Sequence, residues 1–102
     1  MRHSVRFGQR AKDDLLALYD HIAAEAGPDR ALGYATQVEH VCLGLAAFPH
    51  RGAPRTSVRP GLRVLAFRRR VSVVYVVSDR EVIVLRILYG GRRVNDEELG
   101  PA

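Results

Sequence analysis

The feature that most constrains the fold is a strongly β-forming segment at residues 60–93. Valine, isoleucine, leucine and tyrosine dominate it, and branched and aromatic side chains favour a pleated, half-buried surface. Within it, the triple arginine at 68–70 and Ser-Asp-Arg-Glu at 78–81 separate three β-forming runs. We therefore predict three strands, at about 62–68, 70–78 and 81–89. Because the connections are so short, these strands should pair antiparallel as a meander.

The first half of the chain has helical periodicity instead. Apolar residues recur every three or four positions over 10–26 and again over about 29–47. Gly27-Pro28 separates the two segments, and so short a connection predicts an antiparallel helical hairpin. A short strand containing Val5 and Phe7 precedes the hairpin. A loop at 49–61, rich in proline and glycine, follows it.

Polar and glycine positions refine the predicted helices. Asp13 and Asp14 are expected in the first turn of the first helix, where the helix dipole favours acids. Asp29 is a candidate N-cap of the second helix. Gly33 and Gly44 each weaken that helix by about 1 kcal/mol relative to alanine. They indicate either a close approach to a neighbouring helix or simple tolerance.

One face of the last strand has to lie under the helical hairpin. We assign this face to Ile83, Leu85 and Ile87. The opposite face then carries Val82, Val84, Arg86 and Leu88. An exposed apolar surface around a fixed arginine is a candidate binding site.

These elements predict an α+β fold with a short N-terminal strand, an antiparallel helical hairpin and a three-stranded antiparallel β-meander. A chain of 102 residues should form one domain over 1–102, in which 94–102 is a candidate flexible tail. The lone Cys42 excludes an internal disulfide and, on an apolar helical stripe, is expected to be a small buried hydrophobe. With no bilayer-spanning apolar run and no signal-peptide core, we expect a cytoplasmic protein.

Positive charge is concentrated in the β-rich part of the chain. Residues 51–93 hold eleven arginines and two acids, giving 11 − 2 = +9, whereas 1–50 carry −1 and 94–102 carry −3. Arginine makes planar, two-pronged contacts with phosphates and carboxylates. The distribution predicts a rigid basic surface that meets a negatively charged partner.

Residues spread over about 5–93 carry a resemblance to a known superfamily. They are Phe7, Ala11, Asp14, Leu15, Ile22, Gly27, Ala31, Tyr34 and Leu45, then Phe48-Pro49-His50-Arg51-Gly52, Pro60-Gly61-Leu62-Arg63, Val74-Tyr75 and LRILYGGRR at 85–93. In this order and spacing the chain resembles the ParE/RelE toxins of bacterial type II toxin–antitoxin systems, and most of all the ParE branch.

The resemblance implies a toxin silenced by a cognate antitoxin protein. In the ParE branch the target is DNA gyrase, whose complex with DNA the toxin stalls. In the RelE branch the toxin is an endoribonuclease that cuts mRNA in the ribosomal A site. A third alternative is a module that has lost toxicity and only binds its antitoxin.

The resemblance also assigns candidate site residues. Arg63 and Arg86 match positions where the ribonuclease branch keeps phosphate-handling arginines. The ParE branch keeps them too, so they serve either target contact or the fold. As a ribonuclease, the chain would add His50 or Tyr89 for proton transfer. Lysines, which that branch often supplies, are missing beyond Lys12, and we therefore favour a protein inhibitor over an enzyme.

The remaining arginines are candidates for attachment to an acidic partner. Arg92 and Arg93 are expected to contact the target together with the strand-borne arginines. Arg68, Arg69 and Arg70 form a basic turn that either steers association or is simply solvated. The four histidines show no metal-binding spacing, and neither a metal nor another cofactor is expected.

Overall fold

The predicted fold class is confirmed in the computed structural model, which describes residues 2–90. The elements are β1 (Ser4–Phe7), α1 (Gln9–Ala26), α2 (Pro28–Leu43), β2 (Ala53–Pro54), β3 (Leu62–Phe67), β4 (Val71–Val77) and β5 (Glu81–Tyr89). The strands form one sheet in the order β1-β5-β4-β3-β2. Strands β3 to β5 are the expected antiparallel meander.

The two helices meet at a single glycine. Gly27 has φ 93° and ψ 163° and serves both as the C-cap of α1 and as the N-cap of α2. Pro28 then occupies the first turn of α2, where its missing N–H is not needed. Asp29 therefore lies inside the first turn, and its assignment as N-cap was wrong. A short 3-10 helix at Gly44–Ala46 follows α2.

Two strands were not fully anticipated. β1 pairs in parallel with β5, so the first strand lies beside the last, and β1 and β2 together extend the three-stranded meander to a sheet of five strands. The two-residue β2 pairs with Val64 and Arg63 of β3. The β1–β5 pairing joins segments far apart in sequence, and β2 has only two residues, so local periodicity predicts neither pairing.

The main core lies between the helical hairpin and the sheet. Its fully buried members include Ala11 and Val38 from the helices, Cys42, and Tyr75 and Val84 from the sheet. The expectation that Cys42 is buried is confirmed, and burial raises the pKa of its thiol to about 12. A smaller cluster on the other face joins Leu62, Val74, Leu85 and Leu88, with Val58 of the preceding loop against them.

A β-bulge overturns the predicted facing of the last strand. The pairing of β4 with β5 passes from Val74↔Arg86 directly to Tyr75↔Val84 and leaves Leu85 without a partner. One extra residue shifts the alternation of side chains beyond it. Val82 and Val84 therefore join the main core, together with Ile87, whereas Leu85 joins the smaller cluster with Ile83 against it. Our assignment of faces holds for Ile87 and for Leu88, which lies in the smaller cluster. The exposed apolar surface expected around Arg86 was wrong, because Val82, Val84, Arg86 and Leu88 are all buried.

No helix within residues 2–90 is both long and apolar enough to cross a membrane. The tail at 94–102 lies outside the described residues. Added Cβ atoms at Gly33 and Gly44 would meet nothing within 4 Å. This favours tolerance over a close helix approach.

Candidate functional site

Arg63 and Tyr75 together hold the loop that follows the helical hairpin. The Tyr75 hydroxyl donates to the Pro49 carbonyl and accepts from the Gly52 N–H, both at 2.8 Å. The Arg63 Nη1 donates to the carbonyl oxygens of Gly52 at 2.7 Å and His50 at 3.1 Å. Burial raises the pKa of Tyr75 and keeps its hydroxyl protonated. The strand arginine thus has a structural role, whatever else it does.

Gly52 is the point where this loop touches the sheet. A Cβ at this position would lie 2.7 Å from the Tyr75 hydroxyl and 2.9 Å from the Val64 carbonyl oxygen. Only glycine allows so close an approach. The glycine of the Phe-Pro-His-Arg-Gly motif therefore has a packing reason.

Arg86 is fixed by an ion pair with Asp14 of α1. The guanidinium donates through Nε at 2.7 Å and through Nη2 at 2.9 Å to the two carboxylate oxygens. The same carboxylate accepts the Ile87 N–H at 2.9 Å. The side chains are only 5% and 15% exposed. The pair therefore connects α1 to β5 at the bulge rather than presenting a free cation to solvent.

The four residues of the alternative ribonuclease site are not brought together. Arg63 lies level with Tyr75, and Tyr75 in turn lies level with Val84 on β5. Tyr89 lies five positions after Val84 on β5. At about 3.3 Å per residue, Tyr89 and Val84 are roughly 16 Å apart along the strand. Arg86 is engaged with Asp14, and His50 lies on the loop beside Arg63. This arrangement does not provide a shared acid–base site.

His50 does line a polar cleft at the Arg63 end of the sheet. The cleft has a volume of about 390 Å³ and also contains His3, Arg63, Ser78 and Asp79. The imidazole of His3 makes a hydrogen bond with the Ser78 carbonyl at 3.1 Å. Within residues 2–90 no group of three His, Cys, Asp or Glu side chains could hold a metal ion.

Tyr89 and the basic turn meet at the opposite end of the sheet. The Tyr89 ring lies 5.2 Å from the ring of His21, between centroids. Interaction with the Tyr89 side chain raises the pKa of the Arg70 guanidinium. The Arg68 guanidinium lies over the Phe67 ring, 5.3 Å from its centroid. The turn arginines are thus supported by aromatic side chains of the sheet. Arg92 and Arg93 lie outside the described residues.

An apolar groove is formed by residues of both helices and of β1. It has a volume of about 380 Å³ and is lined by Phe7, Lys12, Leu15, Leu16, Tyr19, Ala35 and Glu39. Leu16 is one of its lining residues and is 66% exposed. The sequence did not single out this groove.

Two structural residues were also missed, although one left a signal in the sequence. The carboxylate of Asp14 falls three residues after Ala11 and four before Leu18, on the buried stripe of α1. A carboxylate among core positions requires a buried cation, and Arg86 was the arginine set among aliphatic strand residues. Helix α1 begins at Gln9, so neither Asp13 nor Asp14 lies in its first turn, and that prediction was wrong. Tyr75 gave no comparable signal, because its partners are backbone atoms.

Comparisons with known proteins by family model, by sequence and by structure agree with one another. The family model described as ParE toxin of type II toxin–antitoxin system, parDE, matches residues 5–94. Toxin ParE3 of Caulobacter vibrioides is 32% identical over 77 residues, which are 76% of this chain and 76% of that protein. The chromosomal ParDE system from P. aeruginosa matches with a TM-score of 0.75 and 31% identity, over 86% of this chain and 96% of that one. The RelBE2 toxin–antitoxin complex from Mycobacterium tuberculosis matches with a TM-score of 0.64 and 25% identity, over 88% and 100%.

Proposed function

Because this chain belongs to the ParE toxin family of type II toxin–antitoxin systems, we propose that it inhibits DNA gyrase and that a cognate antitoxin neutralises it. The observation that supports an inhibitor is the engagement of the strand arginines in the fold. Arg63 holds loop carbonyls, and Arg86 holds Asp14. Phosphoryl chemistry on RNA would need such cations beside a proton-transfer group.

The apolar groove on the hairpin is the surface that we assign to the antitoxin. Its floor and walls are aliphatic and aromatic, and Lys12 and Glu39 supply charges of both signs at the lining. Such a groove suits the apolar face of an amphipathic helix. Both similar solved structures come from toxin–antitoxin systems, which supports a protein partner of this kind.

The antitoxin assignment is tested with two matched leucines. Leu16 lines the groove and is 66% exposed, whereas Leu32 of α2 is 62% exposed and does not line it. Leu16→Glu should weaken antitoxin binding at least tenfold, because it puts a charge against an apolar contact. Leu32→Glu should leave the affinity unchanged. Equal losses in both variants, measured by calorimetric titration, would argue against the groove.

The target is tested by two assays run side by side on the purified chain. Inhibition of gyrase supercoiling with intact mRNA in a translation extract is the expected result. Cut mRNA with unaffected gyrase would instead favour the ribonuclease. The observation that favours the ribonuclease alternative is the cleft that joins His3, His50 and Arg63. Harmless expression without the antitoxin, with neither activity, would indicate a module that only binds its antitoxin.

A further inference from the structure

The turn between β3 and β4 has a backbone that its side chains do not favour. Arg68 and Arg69 have φ of 51° and 63°, in the left-handed region. The Arg70 N–H closes the turn on the Phe67 carbonyl at 3.2 Å. A β-turn whose two central residues are both left-handed strongly prefers Asn-Gly. An observed backbone outlier of this kind is a reason to look for a function.

The side chains of this turn are presented by an aromatic base. Arg68 lies over the Phe67 ring, and that ring meets Tyr34 edge to face with centroids 5.9 Å apart. Arg70 interacts electrostatically with the Tyr89 side chain. The three arginines are exposed nevertheless. Aromatic support reduces the freedom that a guanidinium loses on binding, and so favours binding of an anion.

The local balance of charge leaves this turn strongly positive. Glu25 is the acid that acts on Arg70, and it already lies 3.5 Å from the His21 imidazole. Three guanidinium groups on consecutive residues require closely spaced negative charges on a partner. Duplex DNA provides one negative charge per about 1.7 Å of its axis, a density that protein surfaces rarely match.

We propose that the Arg68–Arg70 turn binds the phosphate backbone of double-stranded DNA. The Phe67 ring is covered by Arg68 and Tyr34, so it is not free to stack on unpaired bases, and phosphate contact is the expected mode. The inference rests on the proposed function. In the complex of the toxin with gyrase and DNA, the turn holds the DNA segment on which gyrase acts while the rest of the toxin contacts the enzyme.

The test compares two variants that remove the same charge. R68N/R69G replaces the arginines by the pair that the turn geometry prefers. R2Q/R80Q removes two exposed arginines at the opposite end of the sheet, where Ser4 lies beside Arg80. R68N/R69G should fold with an equal or higher urea midpoint, because it relieves the backbone. Loss of binding would therefore not reflect unfolding.

Binding to a fluorescein-labelled duplex of about 20 base pairs is followed by anisotropy over a range of salt concentrations. For R68N/R69G the slope of log K against log salt should become shallower by about 1.8, or about 0.9 per lost phosphate contact. R2Q/R80Q should keep the wild-type slope. Equal changes in both variants, or none in either, would overturn the proposal. The proposal would also be overturned if R68N/R69G retained DNA binding but lost binding to a labelled oligoglutamate peptide. The turn would then be a contact for an acidic protein.

The supercoiling assay separates this inference from the proposed function. If the wild type inhibits gyrase, R68N/R69G should inhibit it at least tenfold less and R2Q/R80Q as well as wild type. Equal inhibition by both variants contradicts the inference alone. If the wild type does not inhibit gyrase, the proposed function is wrong, and the salt slopes still decide whether the turn binds DNA.

Discussion

Removal of the Asp14 carboxylate should destabilise the protein more than any surface change. Asp14→Ala eliminates two hydrogen bonds from Arg86 and one from the Ile87 N–H, and all three are 2.7 to 2.9 Å long. The guanidinium, only 5% exposed, would then lose its carboxylate. Breaking a buried ion pair costs about 3–5 kcal/mol. Because the Asp14 side chain keeps 15% exposure, we expect about 3 kcal/mol, at the lower end of this range.

This loss is large for a chain of 102 residues, since domains of this size are stable by only about 5–15 kcal/mol. It corresponds to a fall in Tm of about 12–24 °C. Urea unfolding followed by circular dichroism gives the free energy directly, and Asp13→Ala is the matched control. The exposed Asp13 accepts one hydrogen bond, from Gln9, so its removal should change the free energy of unfolding by at most about 0.5 kcal/mol. Similar small effects of both substitutions would refute the structural role of the ion pair.

A double-mutant cycle tests the same pair from the other side. Arg86→Ala should destabilise by a similar amount, and the double variant by clearly less than the sum of the two. The expected coupling energy is at least about 2 kcal/mol. An Arg86→Ala protein with wild-type stability and lost toxicity would instead identify a target-contacting arginine.

Further predictions concern the loop, the helix and the thiol. Tyr75→Phe should lower the free energy of unfolding by about 1–3 kcal/mol, since the Gly52 N–H and the Pro49 carbonyl lose their partner. Limited proteolysis should then cut the loop that contains Pro49 and Gly52 faster than in the wild type. Urea titrations should show that Gly52→Ala destabilises the protein by about 1–3 kcal/mol, because the added methyl group clashes with the Tyr75 hydroxyl. Gly33→Ala should instead stabilise it by up to about 1 kcal/mol, because a Cβ there meets nothing within 4 Å and alanine favours the helix. Cys42, with its pKa raised by burial to about 12, should resist iodoacetamide at pH 8 until the protein is unfolded. Because this pKa lies above the ordinary value of 9.0 that the thiol has in the unfolded chain, the thiol favours folding fully below about pH 9 and loses this contribution as the pH rises towards 12. Cys42→Ala should therefore lose less stability than wild type over that range.

Local patterns in the sequence were sufficient for the elements themselves. Helical periodicity fixed α1 nearly to the residue, and Gly27-Pro28 marked the connection at which the hairpin turns. The short turns made the meander unavoidable. These features depend on neighbouring residues, so they can be read without knowing the partners in space.

The facing of β5 could not be read in the same way. Both alternating sets of its residues are aliphatic, so a period of two carries no preference for either face. The bulge at Leu85 then reverses the alternation within the strand. A bulge is decided by how two strands accommodate one another, and no residue in the segment Glu81–Tyr89 signals it locally.

The amino-acid sequence was enough to predict the fold class, the family resemblance and the concentration of arginine in the β-rich half. What individual arginines do became clear from the three-dimensional structure: Arg63 supports a loop, Arg86 pairs with Asp14, and Arg68 lies over an aromatic ring. The charge of an arginine belongs to its residue type, whereas its function depends on partners brought close by folding. For Arg86 the carboxylate lies 72 positions away in the chain, a separation that no local pattern spans.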